Sequence, residues 1–258
     1  MPIKKKIHAD VHFSPAQFDE MQLKDKTVVV IDVLRASTSV AMALQSGAKE
    51  IIPVSSVESA VKISGSLFGD VTIRAGERNG KMIEGFNLGN SPEEYTREMV
   101  NGKSIIFMTT NGSGAMVKGR HAKNLIVAGF VNLSAVVSFL KEFAGDFMII
   151  CAGKENDFCI EDAVCAGKII NKLEQEIDAD LLLNDAGAAA TTLDKTFGKN
   201  ILKLLKSSEH GKHLIEIGFA DDLKICADID AIPVLPILSG NVIRLTKETG
   251  KRTAGVKG

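Results

Sequence analysis

Residues 27–38 read TVVVIDVLRAST: four β-branched residues, Val28 to Ile31, deliver Asp32, and Arg35 follows three positions later. Such a run marks a strand buried on both faces, so two charges stand at the edge of a core and need partners. An acid just past a buried strand can hold a magnesium ion, act as a nucleophile, or cap the following helix. Arg35 carries a planar fork suited to phosphate, sulfonate or carboxylate, or it can simply pair with Asp32. Ser37 and Thr38 open the next helix.

Three further stretches carry polar residues in places a core does not explain. Residues 74–92, RAGERNGKMIEGFNLGNSP, form a long glycine-rich connection holding Glu77, Arg78, Glu84, Asn87, Asn90 and Ser91; connections of that kind inside a compact domain are more often functional than solvated filler. Ser91 followed by Pro92 reads as an N-cap and first helical position. Residues 109–114, TTNGSG, offer small residues whose N–H groups can face an anion at a helix start, although the lysine of a nucleotide-binding P-loop is missing. Residues 151–162, CAGKENDFCIED, follow another buried run with Glu155, Asp157, Glu161 and Asp162. Adjacent acids at a helix start suit a hard divalent cation, or they cap the helix.

The elements that must position these residues alternate: VVVIDV, EIIPV, VTIRAG, SIIFMTT, NLIVAGF and FMIICAG each precede a loop or helical pattern, including helices over residues 37–46, 57–67, 132–143 and 160–176. That alternation predicts crossover connections and a layered α/β/α fold with a mainly parallel or mixed sheet. Ligands then sit beyond the carboxyl ends of the strands, where all four polar stretches fall. The chain reads as one unit of residues 1–258 with a sheet-rich part to about 176 and a helix-rich part after it. VIRLTKE near the end reads as an edge strand, and the tail from Gly250 as loose.

With 258 residues, 45% hydrophobic, 24% charged and a net charge of −1, the composition is that of a soluble globular protein. It offers neither a basic excess for nucleic acid nor an apolar run long enough for a membrane, so a cytoplasmic location is expected. Cys151, Cys159, Cys165 and Cys226 lack a CxxC pair and read as reduced thiols. Leu34 occupies the place where an aspartyl phosphatase of the haloacid-dehalogenase kind needs a second Asp. Asp157 and Cys165 stand six places after Cys151 and Cys159, where a cysteine phosphatase needs Arg. All five histidines, His210 and His213 on a late polar helix among them, read as surface or packing residues. No GxGxxG follows a strand.

Taken in order, DVLRAST, GERNG, GFNLGNSP, TTNGSGA and CAG followed by ED resemble the 2-phosphosulfolactate phosphatase family, over about residues 5–245. The resemblance implies magnesium-dependent hydrolysis of 2-phospho-3-sulfolactate to 3-sulfolactate and phosphate, a step of coenzyme M biosynthesis. Positions carried over are Asp32, Arg35, Glu77, Asn79, Asn87, Asn90, Ser91, Thr110, Asn111, Gly112, Glu161 and Asp162. Among these, Asp32, Arg35 and Glu77 are expected to be catalytic; Asp32 with Glu161 or Asp162 is expected to hold Mg²⁺. Arg35, the asparagines, Ser91, Thr110 and Gly112 are expected to meet the substrate. The attacking group is a water or a carboxylate such as Asp32. A phosphatase for another small anionic phosphate ester, and a non-catalytic binding protein for an organic anion, are the alternatives. A homodimer is the default assembly.

Overall fold

The computed structural model describes residues 4–245 apart from residues 18, 67–70 and 156; the tail from Gly250 and Leu67 lie outside the described residues. Strands and helices alternate through most of the chain: β1 (Lys5–His12), β2 (Thr27–Ile31), α1 (Ala36–Gln45), β3 (Glu50–Pro53), α2 (Val57–Ser66), β4 (Thr72–Arg78), β5 (Lys81–Met82), α3 (Arg97–Val100), β6 (Ser104–Met108) and α4 (Gly112–Lys118). Then come β7 (Asn124–Ala128), α5 (Leu133–Phe143), β8 (Phe147–Cys151), α6 (Ile160–Glu176), β9 (Ala179–Leu183), helices α7 (Asp185–Phe197), α8 (Ile201–Ser207), α9 (Glu209–Glu216) and α10 (Asp222–Ala227), and the hairpin β10 (Pro236–Ser239) and β11 (Val242–Leu245).

One mixed sheet of 11 strands runs in the order β5-β4-β6-β3-β11-β10-β7-β2-β8-β1-β9. Two parallel groups, β4-β6-β3 and β7-β2-β8-β1-β9, flank the hairpin, which pairs antiparallel with both β3 and β7. VIRL is therefore an interior strand rather than an edge: Ile243 pairs with Ile51 and is fully buried. A short alternating run looks the same at an edge and in the middle, because pattern reports faces and not neighbours.

β2 shows why the sheet is buried on both sides. Val28 and Val30 pack with Val40 and Leu44 of α1 and Met116 of α4, whereas Val29 and Ile31 pack with Val137 of α5 and Val164 and Ile169 of α6. Residues of β3, β4 and β6 share the first of these cores, through Ile51, Ile73, Ile105 and Phe107. The two parallel groups thus close over the same pair of helices. The hairpin reverses one parallel group relative to the other, and the residues that follow or end β2, β4, β6 and β8 nevertheless line one cavity.

Candidate active site

The turn after β2 is built by its own hydroxyls. Ser37 N–H donates to the Asp32 carbonyl at 2.9 Å, and Asp32 N–H donates to Ser37 Oγ at 2.9 Å. Asp32 Oδ1 accepts the Ala36 N–H at 3.2 Å, so the acid does begin the helix, as a cap would. It also lines the cavity with its neighbours Leu34 and Arg35; capping and facing a ligand are not exclusive when a carboxylate has two oxygens. Gly112 is packed against the second oxygen: a Cβ there would lie 2.4 Å from Asp32 Oδ2 and 2.5 Å from the Ala36 methyl. Ser39 Oγ donates to the Asn90 carbonyl at 2.8 Å and pins the 74–92 connection to α1.

Arg35 does not pair with Asp32. Its Nη1 donates to Asp222 Oδ2 at 2.6 Å, its Nη2 donates to the Gly80 carbonyl at 2.7 Å, and its guanidinium lies 4.3 Å from the centre of the Phe219 ring. Both charged side chains are all but sealed from solvent. Asp222 uses its other oxygen to accept from Ser91 Oγ at 2.6 Å. Ser91 N–H donates to Glu94 Oε1, and residues Pro92–Glu94 form a single 3-10 turn in place of the longer helix its capping pattern suggests.

Glu77 ties two strand ends together. Its carboxylate accepts from the Gly80 and Thr110 N–H groups, both at 2.7 Å, and from Thr110 Oγ1 at 3.1 Å. The Gly80 amide is in place because Asn79 and Gly80 close the β4–β5 hairpin with φ of 53° and 78°, the left-handed pair that Asn-Gly tolerates best. In TTNGSG, Thr109 and Ser113 exchange bonds: Thr109 N–H to Ser113 Oγ and Ser113 N–H to Thr109 Oγ1, each 2.9 Å. Asn111 Oδ1 accepts the Glu155 N–H at 2.8 Å and fastens this turn to the loop after β8.

The opposite wall is acidic and poorly satisfied. Burial first, and then Glu77 and Glu161 nearby, push the Asp32 carboxyl up to about 6, against the pull of His210 and the Ala36 N–H. Glu161 is 2% exposed, and its Oε1 makes no hydrogen bond; His210 Nδ1 lies 3.5 Å away. Asp162 faces elsewhere. Its two oxygens accept from Val33 N–H at 2.9 Å and Gly153 N–H at 3.1 Å, and burial, Asp32 and Glu161 raise its carboxyl well above the usual range. Burial likewise raises the thiols of Cys151, Cys159 and Cys165; all four cysteines are free and buried, which leaves no thiolate nucleophile here.

The cavity encloses about 680 Å³ of empty space when the open solvent at its mouth is counted. Of the residues singled out from sequence, Asp32, Arg35, Glu77, Asn79, Asn90, Thr110 and Asn111 line it, with Gly112 behind Asp32. Glu161 lines an adjoining cavity that shares Lys154, Glu155 and His210 with the first. Asn87 is elsewhere, its Oδ1 accepting the Arg74 N–H at 2.9 Å, and Ser91 supports Asp222 from below. His210 and His213, read from sequence as surface or packing residues, both line the cavity. Their three-residue spacing on α9 puts them on one face, which was the available signal. Asp222 and Phe219 carried no local signal.

A model of the 2-phosphosulpholactate phosphatase family matches residues 12–241. The chain is 40% identical over 230 residues to the probable 2-phosphosulfolactate phosphatase of Caldanaerobacter subterraneus subsp. tengcongensis, covering 89% of this chain and 95% of that one. It is 39% identical to the protein of the same description from Thermotoga maritima (85% and 92% covered), and 36% identical to that from Symbiobacterium thermophilum (91% and 99%).

Proposed function

Because the chain belongs to the 2-phosphosulpholactate phosphatase family and is a phosphoric monoester hydrolase, we propose that it hydrolyses 2-phospho-3-sulfolactate to 3-sulfolactate and phosphate with Mg²⁺, in a route of the coenzyme M type. The observation that supports this most is an asymmetry: Asp32 in the cavity and Glu161 in the one adjoining it are buried acids with spare oxygens, and amide and hydroxyl groups line the other side.

The donor set fits a hard divalent cation. Asp32 has one oxygen on the Ala36 N–H and makes no hydrogen bond with the other among the described residues; Glu161 has a buried oxygen with no hydrogen bond. Glu161 raises the cost of charge on Asp32, which a cation between carboxylates relieves. Asp162 has both oxygens committed to backbone N–H groups, so Asp32 and Glu161 are the pair we assign to Mg²⁺. The ion would neutralise charge on the phosphoryl oxygens during transfer.

The remaining work belongs to the chain itself. Thr110, Asn111 and Asn79 orient the anionic groups with N–H and amide donors, aided by Asn90, whose Oδ1 is buried without a partner and whose amide can turn to present its nitrogen. Arg35 holds the wall in place, and its net charge is offset by Asp222. Lys154 and His213 add positive or donor groups on the far rim. Water is the attacking group in this reading, since Asp32 is held by Ala36 and packed by Gly112 and has no acid two places on. A single turnover in ¹⁸O-water with acid quenching tests this: unlabelled phosphate excludes direct water attack, and label in the phosphate with no acyl phosphate trapped on the protein supports it.

Phosphate release from 2-phospho-3-sulfolactate, beside a panel of small phosphate esters and with and without Mg²⁺, tests the whole reading. Preferred, Mg²⁺-dependent release from the sulfonated ester is the expected result. Release from another ester alone moves the substrate, and no release with anion-induced thermal stabilisation makes the protein a binder.

A further inference from the structure

Beside the cavity, at the start of α6, three side chains of different elements converge. Cys159 is the N-cap residue, Glu161 stands one turn-step into the helix, and His210 comes from the first turn of α9. One ligand atom from each lies within 4.8 Å of the others. Ideal tetrahedral bonds of about 2.0–2.3 Å would bring such atoms to roughly 3.3–3.8 Å, so closing on an ion asks each side chain for an ångström or so of movement. Glu161 supplies an independent sign of a missing partner: its Oε1 is buried, 2% exposed as a residue, and without a hydrogen bond. A buried carboxylate oxygen that makes no hydrogen bond, with His210 Nδ1 at 3.5 Å, is incompletely satisfied and costly.

We propose that Cys159, Glu161 and His210 form a site for a borderline transition-metal ion of the Zn²⁺ or Co²⁺ class, with its fourth position open toward the cavity shared with Lys154 and Glu155. The ligand types choose the metal. Mg²⁺ takes oxygen donors and gains little from sulfur or imidazole, whereas a thiolate, an imidazole and a carboxylate suit Zn²⁺ and Co²⁺. Three protein ligands with an open position is the pattern of a reactive rather than a structural zinc site. The positive end of α6, worth about half a charge, opposes the cation but favours both anionic ligands, and the two full negative charges outweigh it. Binding breaks the Cys159 S–H bond, forms a sulfur–metal bond and releases one proton to solvent.

Glu161 also belongs to the Mg²⁺ pair proposed above, so the two ions compete for it: a borderline ion draws Glu161 toward Cys159 and His210 and away from Asp32. Micromolar Zn²⁺ is then expected to inhibit a Mg²⁺-supported phosphatase, but the test of the site does not depend on turnover.

The whole chain, freed of metal with a chelator, is titrated with Co²⁺. A thiolate-to-cobalt charge-transfer band should grow to one equivalent, together with the visible bands of a four-coordinate ion, and one proton should appear in solution per Co²⁺ bound. Zn²⁺ should abolish the bands and Mg²⁺ at the same concentration should not. Cys159→Ser should remove the charge-transfer band while the circular dichroism is unchanged, and His210→Gln should weaken Co²⁺ binding by at least about tenfold. A wild-type protein that takes up no stoichiometric Co²⁺, or shows a band that survives Cys159→Ser, overturns the site; so does binding without proton release, a measurement that needs no variant. Displacement by Mg²⁺ as readily as by Zn²⁺ overturns the assigned class of metal. None of these results bears on phosphate release, so failure here and failure of the phosphatase reading are separate outcomes.

Discussion

The two walls of the cavity are both lined by buried charges, and they are built in opposite ways. On the Arg35 side every charge has been answered: guanidinium to Asp222 and the Gly80 carbonyl, Asp222 to Ser91, Glu77 to Gly80 and Thr110. On the Asp32 side the acids crowd one another, Asp32 is pushed up to about 6 and Glu161 keeps an unbonded oxygen. A satisfied network resists change and so fixes shape; an unsatisfied cluster has capacity left for a ligand. Proximity to the cavity is shared by both walls, and what separates framework from chemistry is the number of bonding positions still open.

The sharpest test substitutes the two walls in turn. Asp32→Asn should lower turnover about 10³-fold, the scale of losing a charge-stabilising group, while the urea unfolding midpoint holds or rises, because a crowded buried acid has been neutralised. Asp222→Ala should do the reverse of this in kind: it leaves Arg35 charged and unpaired in a sealed site, and breaking a buried pair costs about 3–5 kcal/mol, read as a large drop in the unfolding midpoint. If Asp32→Asn destabilises and Asp222→Ala does not, the division between the walls is wrong.

Gly112→Ala comes next. Nothing in its backbone φ demands glycine, but the methyl would meet both Asp32 Oδ2 and the Ala36 Cβ, so a displacement of Asp32 near an ångström costs on the order of 10²-fold in rate while the overpacking against Ala36 lowers stability by about 1–3 kcal/mol. A rate within a factor of about three of the parent would show that Asp32 has slack, contrary to a rigid placement.

Titration separates the walls by another route. The Asp32 carboxyl stands above its unfolded value of 3.8, at about 6, so the folded protein holds that proton more tightly than the unfolded chain does. This contribution therefore favours folding at low pH and is lost as pH rises from about 4 toward 6. Proton and cation compete for the same oxygens, so Mg²⁺ affinity measured by calorimetry should fall about tenfold per pH unit below 6 and level off above it. A flat profile between pH 5 and 7 would remove Asp32 from the cation's ligands.

Legibility from sequence followed the range of the interaction. Runs such as VVVI and FMIIC and the α6 bounds, Ile160–Glu176, are local and were readable. The placement of Asp32 at a strand end needed only the parallel-sheet rule. Arg35 was visible as a charge at a core edge, but its partner lies 187 residues away on a helix with no pattern to announce it. Glu161 and Asp162 were readable as acids and not as a divergent pair. Successive helical residues point about 100° apart, so one faces His210 and Cys159 while the other turns under β2. The histidines were discounted because a polar helix is ordinarily a solvated one, and only the docking of α9 against the loop after β8 gives His210 its place.

The smallest effect tests whether the Arg35 wall is a network or a single pair. Ser91→Ala removes one hydrogen bond, from Ser91 Oγ to Asp222 Oδ1. Taken alone, a neutral donor to a charged acceptor is worth about 1.5–3 kcal/mol, and an ordinary bond about 1. In Asp222→Ala the serine has already lost its acceptor, so if the bond matters only through Asp222, adding Ser91→Ala to that background should cost almost nothing. The double-mutant cycle then returns a coupling close to the whole Ser91 effect. Additive losses would mean that Ser91 stabilises the 74–92 connection by itself and that Asp222 serves Arg35 alone. That outcome would reduce the satisfied wall to one ion pair with a supporting carbonyl, and the contrast with the Asp32 wall would rest on Arg35 and Glu77 separately.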